Sequence, residues 1–259
     1  MSTVDVLVFV KRVPMVGGRI ALSDDHRHVD TTMLGFTVSP HEECAVEEAV
    51  RITEAHGGTV TVCTLGPPEA VEQLRSAMAV GAHAAHLLET ARDDFGPMGT
   101  ARAIVEAVRG LEADRGAPFD LLCFGNEAAD TGDYQVGVHV AHGLGRPCAT
   151  GIKQLTVVGD RVEARREYRG AEELFVLTLP AVVTVKEGIN LPRYPSLPGR
   201  MRAKKAAVTT ATADFHPDRL QMERLRVPRS ERRSAEVLGY GDAAVPALVA
   251  LLAEWGIVR

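Results

Sequence analysis

Apolar residues fall in short unbroken runs along the first half of the chain, at Val4 to Val10, Thr59 to Leu65, Ala84 to Leu88 and Phe119 to Phe124. Runs of this length without alternation suit strands covered on both faces, the pattern of a parallel sheet. Between them lie segments whose apolar positions recur every three or four residues. Pro40 to about Ala55, with Ala45, Ala49 and Ile52 inward, Pro68 to Val80, Met98 to about Ala113 and Tyr134 to Leu144 are therefore predicted helices. Ser39-Pro40-His41-Glu42 combines a capping serine, a proline in the first turn and a glutamate placed to reach back to the cap, an arrangement worth about 0.5–2 kcal/mol. Gly57-Gly58, Gly81 and Gly145 stop helices. This alternation of strand and helix demands right-handed crossovers, so the predicted class is α/β, a doubly wound, mostly parallel sheet with helices on both faces.

The rhythm then changes. Ile152 to Val158, a Gly159-Asp160 turn and Arg161 to Tyr168 read as an added β-hairpin, followed by Leu174 to Leu179. Leu179, Val182, Val183 and Val185 read as a further buried strand. It runs into a proline-rich segment with Leu197 at its tip and the cations Arg200, Arg202, Lys204 and Lys205 behind it. Pro192, Pro195 and Pro198 each fix φ and lack a donor, so this segment is expected to stay a loop that loses little entropy when a partner grips it. Burying one leucine contributes roughly 1.5–3 kcal/mol, enough for an encounter that must also dissociate. The division expected is an α/β domain over 1–205 and a C-terminal arm over 206–259. The arm carries a basic stretch at Pro228 to Arg233 and a helix at Ala243 to Trp255, whose narrow stripe of Val245, Leu248, Val249, Leu252 and Trp255 must dock on its own domain or on a partner.

A chain of 259 residues with 46% hydrophobic content supports one main core. Its net charge of −5 disfavours nucleic acid or an anionic membrane as the partner. Cys44, Cys63, Cys123 and Cys148 have no CxxC spacing and read as small core residues of a reducing compartment. Val4 follows the start without a leader pattern and no apolar run approaches membrane-spanning length, so a soluble, cytoplasmic protein is expected, without membrane insertion. His83 with His86 and His139 with His142 lack the acidic companions of a metal site and read as surface or packing residues. No nucleophile elbow is present, and neither a catalytic residue nor a metal ligand is expected. In a sheet of this class ligands gather beyond the carboxyl ends of the strands where strand order reverses. The loop Gly125 to Gly137 feeds a helix start there, and reads either as a plain connection or as a phosphate cradle.

Several blocks together resemble the electron transfer flavoprotein beta subunit family: Leu179-Pro180-Ala181-Val182, Asn190, Pro192-Arg193-Tyr194, Leu197-Pro198, Met201 and Ala203-Lys204-Lys205, with Val10-Lys11-Arg12-Val13, Ala45-Val46-Glu47-Glu48-Ala49 and Gln135-Val136-Gly137. The resemblance runs in order from residue 1 to about 205 and is loose beyond. It implies a Rossmann-like, adenine-nucleotide alpha-hydrolase-like fold and a heterodimer with an alpha subunit that holds most of the FAD, with Val16 and His41 of this chain facing the flavin. It also implies an AMP, or in electron-bifurcating members a second FAD, enclosed by Phe9, Lys11, Ser39, Pro40, His41, Glu42, Leu65, Gly66, Asp130, Thr131, Gly132, Asp133, Tyr134, Gln135, Val136 and Gly137. Pro192, Arg193, Tyr194, Leu197, Pro198 and Met201 are the implied docking residues for flavin-dependent dehydrogenases such as acyl-CoA dehydrogenases, with a quinone reductase or another acceptor downstream, and the C-terminal arm would wrap the alpha subunit.

The chain departs from the family where Ser39 replaces a common asparagine, Gly132 an acidic residue, Asp133 a serine, threonine or cysteine, and Val16 and His41 aromatics. His41 therefore reads either as a solvated helix-start residue or as a donor to the flavin, and a helix start would depress its pKa. Two other classes would each need a motif of their own. A stand-alone adenine-nucleotide-binding stress-protein-like module would carry a GxxG-x9-G-[ST] motif, and an ATP-pyrophosphatase an SGGxDS-like loop where Val10-Lys11-Arg12-Val13-Pro14 stands; neither motif is present.

Overall fold

The computed structural model describes residues 3–15, 17, 20–92, 94–228 and 235–258. In chain order the elements are β1 (Val6–Phe9), β2 (Val13–Pro14), β3 (Phe36–Thr37), α1 (Pro40–His56), β4 (Val60–Gly66), α2 (Val71–Val80), β5 (Ala84–Glu89), α3 (Pro97–Arg115), β6 (Leu121–Gly125) and α4 (Val136–Leu144). There follow β7 (Cys148–Ile152), β8 (Gln154–Val158), β9 (Arg161–Tyr168), β10 (Ala171–Thr178), β11 (Ala181–Val185), α5 (Leu197–Lys205), β12 (Thr209–Thr212) and α6 (Val245–Glu254).

Seven strands form one parallel sheet in the order β12-β5-β4-β1-β6-β11-β7. Order runs outward from β1 through β4 and β5 on one side and resumes on the other with β6, so the direction of winding reverses between β1 and β6. Two-sided burial explains why these strands read as unbroken apolar runs. Along β1, Val6 and Val8 join the cluster under α1 and α2, whereas Leu7 and Phe9 join the cluster under α3 and α4. Ala45, Ala49 and Ile52 of α1 are buried as their spacing requires.

The hairpin of β8 and β9 is extended by β10 into a three-stranded antiparallel sheet, and its Leu155, Val157, Val162 and Ala164 join the α1-side cluster. The parallel strand β7 precedes it. Its short CATGI sequence, with Gly151 at φ +70°, carries too weak an apolar signal to be read as a sheet strand.

Two expectations are corrected. The segment after Asn190 does not stay a loop, because Leu197–Lys205 is helical. Pro198 stands in the first turn, where its missing N–H is one the helix would leave unbonded in any case, and Ser196 caps the helix by accepting from Gly199 N–H at 3.1 Å. The boundary at residue 205 also moves: β12 pairs with β5, and the first compact unit runs over Met1–Arg224. Thr209 to Thr212 is polar because it is an exposed edge strand, which hides it from a search for apolar periodicity. The second unit, Leu225–Arg259, contains α6, on which Val245, Leu248 and Val249 are exposed. Of the basic stretch Pro228 to Arg233, all but Pro228 lies outside the described residues.

Cys44, Cys63, Cys123 and Cys148 are free thiols, and burial pushes the pKa of each upward, Cys148 to about 11. Among the described residues no helix is long and apolar enough to cross a membrane. Leu122, wholly buried on β6 between β1 and β11, has no room to be lost: Leu122→Ala is expected to lower unfolding stability by about 2–5 kcal/mol in urea titrations, without altering the fold seen by circular dichroism.

Candidate functional site

The reversal between β1 and β6 opens a crevice at their carboxyl ends, and three backbone segments meet there: the exit of β1, the start of α1 and the loop after β6. Gly125 ends β6 so close to α1 that a Cβ there would stand 2.6 Å from Glu42 Cγ. Glu42 closes the capping box. Its carboxylate accepts from Ser39 N–H at 3.3 Å and from Lys11 N–H at 3.1 Å, so it fastens the end of β1 to the start of α1. The Ser39 hydroxyl accepts from Ala129 N–H at 3.0 Å and brings in the third segment. Glu42 is buried, and this pushes its pKa up to about 8 against the pull of the Lys11 and Ser39 hydrogen bonds.

Across the mouth, Lys11 Nζ pairs with Asp130 at 2.7 Å. His41 Nε2 lies 3.4 Å from Glu127 Oε1, and its Nδ1 is buried without a partner. Its pKa is held below the ordinary value chiefly by burial, with Glu127 and Glu187 pulling the other way. Asp130, Thr131, Asp133, Tyr134 and Gln135 are exposed, and Gly132 and Tyr134 both take φ +59°. Helix α4 starts at Val136 without a side-chain cap from Gln135, so its first N–H groups are not claimed by a capping side chain. These groups, with the left-handed turn at Gly132, suit a phosphate. Glu127, Asp130 and Asp133 beside them oppose one and suit hydroxyl groups instead.

Not every residue singled out from sequence turns to the crevice. Phe9 stacks on Phe124 at 4.5 Å inside the α3-side core, so only its backbone borders the site. Leu65 packs against the same core, and the Gly66 carbonyl accepts from Thr90 N–H at 3.0 Å on the far side of β4. Gly137 is needed for packing, since a Cβ would stand 2.7 Å from Thr184 Cγ2. Pro40 is exposed at the first position of α1, and Val16 lies outside the described residues. His83 and His86 serve the sheet edge: His83 Nδ1 accepts from Val60 N–H at 3.0 Å, and His86 Nδ1 meets Thr209 Oγ1 at 2.8 Å.

Sequence reasoning missed Asn126 and Thr184. The Thr184 hydroxyl donates to Asn126 Oδ1 at 2.8 Å and accepts from Gly151 N–H at 3.1 Å, tying the ends of β6, β11 and β7 together. A single threonine inside the run Ala181-Val182-Val183-Thr184-Val185 was the signal available.

The second surface lies at 190–201. Tyr194 is 95% exposed and Leu197 72%, with Leu191 and Met201 also open and Pro192 half-buried. Arg200, Arg202, Lys204 and Lys205 are exposed on α5. A Cβ at Gly199 would stand 2.3 Å from the Ala79 carbonyl, so α5 lies hard against α2. Arg193 does not point outward: its guanidinium is paired with Glu47 and Glu54 of α1.

The family model of the electron transfer flavoprotein domain matches residues 28–216. Among curated relatives, an electron transfer flavoprotein subunit beta of Bacillus subtilis is 37% identical over 229 residues, which cover 84% of this chain and 86% of the relative. A subunit beta of Syntrophomonas wolfei is 32% identical over 253 residues, 96% and 94% of the two chains. A mitochondrial subunit beta of Oryza sativa subsp. indica is 32% identical over 237 residues, 90% and 92% of the two.

Because the folded-state pKa of Glu42 lies above its unfolded value, the folded chain binds the extra proton between about pH 4.5 and 8. Stability from this group is present at the acid end and is lost as pH rises, by about 1.4 kcal/mol per pH unit at most. Glu42→Gln should therefore flatten the decline in urea midpoint between pH 5.5 and 8, leaving the variant closer to, or above, the parent at pH 8 than at pH 5.5.

Proposed function

This chain belongs to the electron transfer flavoprotein beta subunit family, and from that premise we propose that it is the beta half of an FAD-carrying heterodimer that accepts electrons from a dehydrogenase and passes them on. The observation that carries the reading is that the matched region, residues 28–216, contains both the α1 and α4 borders of the crevice and the whole exposed 190–201 surface. FAD, when bound, supplies the electron-accepting chemistry. The chain's own residues hold, orient and dock. His41, with Nε2 toward Glu127 and a pKa that burial holds below the ordinary value, is the residue for the flavin wall. No bond-making step is assigned to this chain.

The crevice is read as the seat of an AMP. The N–H groups that open α4 would meet its phosphate, Lys11 would balance charge at the mouth, and Asp133 and Glu127 would turn to hydroxyl groups. Leu197, with Tyr194 and Met201, forms the docking surface for a flavin-dependent dehydrogenase such as an acyl-CoA dehydrogenase, and the cations of α5 would steer an acidic partner. The charged rim changes association rate more than final affinity.

Co-expression with the alpha subunit of the same organism should yield a yellow 1:1 complex, whereas the chain alone should be nearly colourless. A full flavin spectrum from the lone chain, or failure to pair with any alpha subunit, overturns the assignment. Nucleotide extracted from the complex and weighed by mass spectrometry should be AMP; a second equivalent of FAD would instead mark a bifurcating subunit. Leu197→Ala should weaken the encounter with the dehydrogenase roughly ten- to a hundredfold while leaving bound FAD unchanged, read from reduction kinetics at varied complex concentration.

A further inference from the structure

Two motifs far apart in the chain form one polar unit. The Glu47 carboxylate, whose side chain is only 4% exposed, accepts from the Arg193 backbone N–H at 3.1 Å, from its Nε at 2.9 Å and from its Nη2 at 3.1 Å. The outer edge of the same guanidinium reaches Glu54, at 2.6 Å from Nη1 and 2.9 Å from Nη2. Arg51 completes the grip, with its Nε 2.7 Å from Glu47 Oε1. Nearby, Asn190 Nδ2 donates to Glu48 Oε2 at 2.9 Å and to the Cys44 carbonyl at 3.0 Å. Burial alone would push the Glu47 pKa up, and the hydrogen bonds from Arg193 and Arg51 more than offset it, holding the group below its ordinary value.

Ile189 packs against the core just before the segment, but Leu191 and Tyr194 are exposed, and Leu191 to Pro195 form one wall of a cleft of about 450 Å³ whose other lining includes Val10, Val46, Gln73 and Ala77. With Leu191 and Tyr194 open to solvent, the polar contacts of Asn190 and Arg193 are what tie this stretch to α1. The planar fork of Arg193 suits this, because it satisfies two carboxylates of one helix at once and carries its own backbone N–H with it.

We propose that Glu47 and Glu48 are the positioning residues of the docking segment, gripping Arg193 and Asn190 so that Leu191 and Tyr194 are presented already ordered beside Leu197, which α5 itself holds against α2. Arg193, expected from resemblance to touch the dehydrogenase, acts instead through helix α1. The benefit is pre-organisation: ordering that would otherwise be lost on contact is completed in the free carrier. What the segment meets rests on the docking reading above; the clasp itself does not.

The test uses the complete FAD-containing heterodimer. Amide hydrogen exchange over 188–195 should be slow in the parent and rise at least about tenfold in Glu47→Gln and Arg193→Met, with Arg193→Lys between them, because a point charge cannot span both carboxylates. With an acyl-CoA dehydrogenase charged with octanoyl-CoA, the carrier concentration giving half-maximal reduction should rise by about the same factor, while the limiting rate and the FAD absorbance hold. Arg193 lies at the surface, so Arg193→Met decides the matter even if Glu47→Gln fails to assemble. Exchange within twofold of the parent in Arg193→Met overturns the proposal. The docking reading fails on a different result, namely faster exchange in the clasp variants while Leu197→Ala leaves half-saturation unchanged.

Discussion

Helix α1 takes three carboxylates out of water, and the layout of both the crevice and the exposed 190–201 surface follows from what satisfies them. Glu42, Glu47 and Glu48 are each buried, a costly position for an acid without partners. Each finds its partners on chain remote from the helix: Glu42 on the exit of β1, Glu47 on Arg193 and Glu48 on Asn190. One helix therefore sets the crevice at its first turn and the exposed 190–201 segment along its next turns. The balance differs between the three. Glu47 faces guanidinium groups and is held charged, while burial dominates at Glu42 and Glu48 and raises both.

Much of this was legible in the sequence because local rules and global packing agree. Ser39-Pro40-His41-Glu42 announces the start of α1, and the apolar runs announce β1, β4, β5, β6 and β11 because strands covered on both faces need no alternation. Where reading failed, one physical signal had displaced another. Three prolines argued against helix, yet Pro198 falls in the turn that tolerates it, and the capping serine two residues before it was the stronger cue. Thr209 to Thr212 is a strand by position at an edge and not by composition. Resemblance brought forward Glu47-Glu48 and Asn190 through Arg193 as separate matches, and no rule of spacing tells a reader that residues 146 apart are partners.

The crevice was legible as a place more than as a chemistry. Strand order puts the opening between β1 and β6 whatever the side chains are. Which side chains enter it depends on where the strand stops: β1 ends at Phe9, whose ring stacks on Phe124 in the core, while Lys11 lies past the strand and its ammonium crosses the mouth. Gly137, which resemblance implies at the nucleotide's border, also leaves room for Thr184, a packing reason that only the approach of α4 to β11 reveals.

The inward placement of the cysteine sulfurs has a consequence for a protein proposed to shuttle electrons. Peroxide attacks thiolates, and solvent exclusion keeps Cys63 and Cys123 protonated and unreachable. A peroxide leaking from a reduced cofactor would thus spare these two thiols, and the sulfurs within its reach include the exposed thioethers of Met33 and Met201.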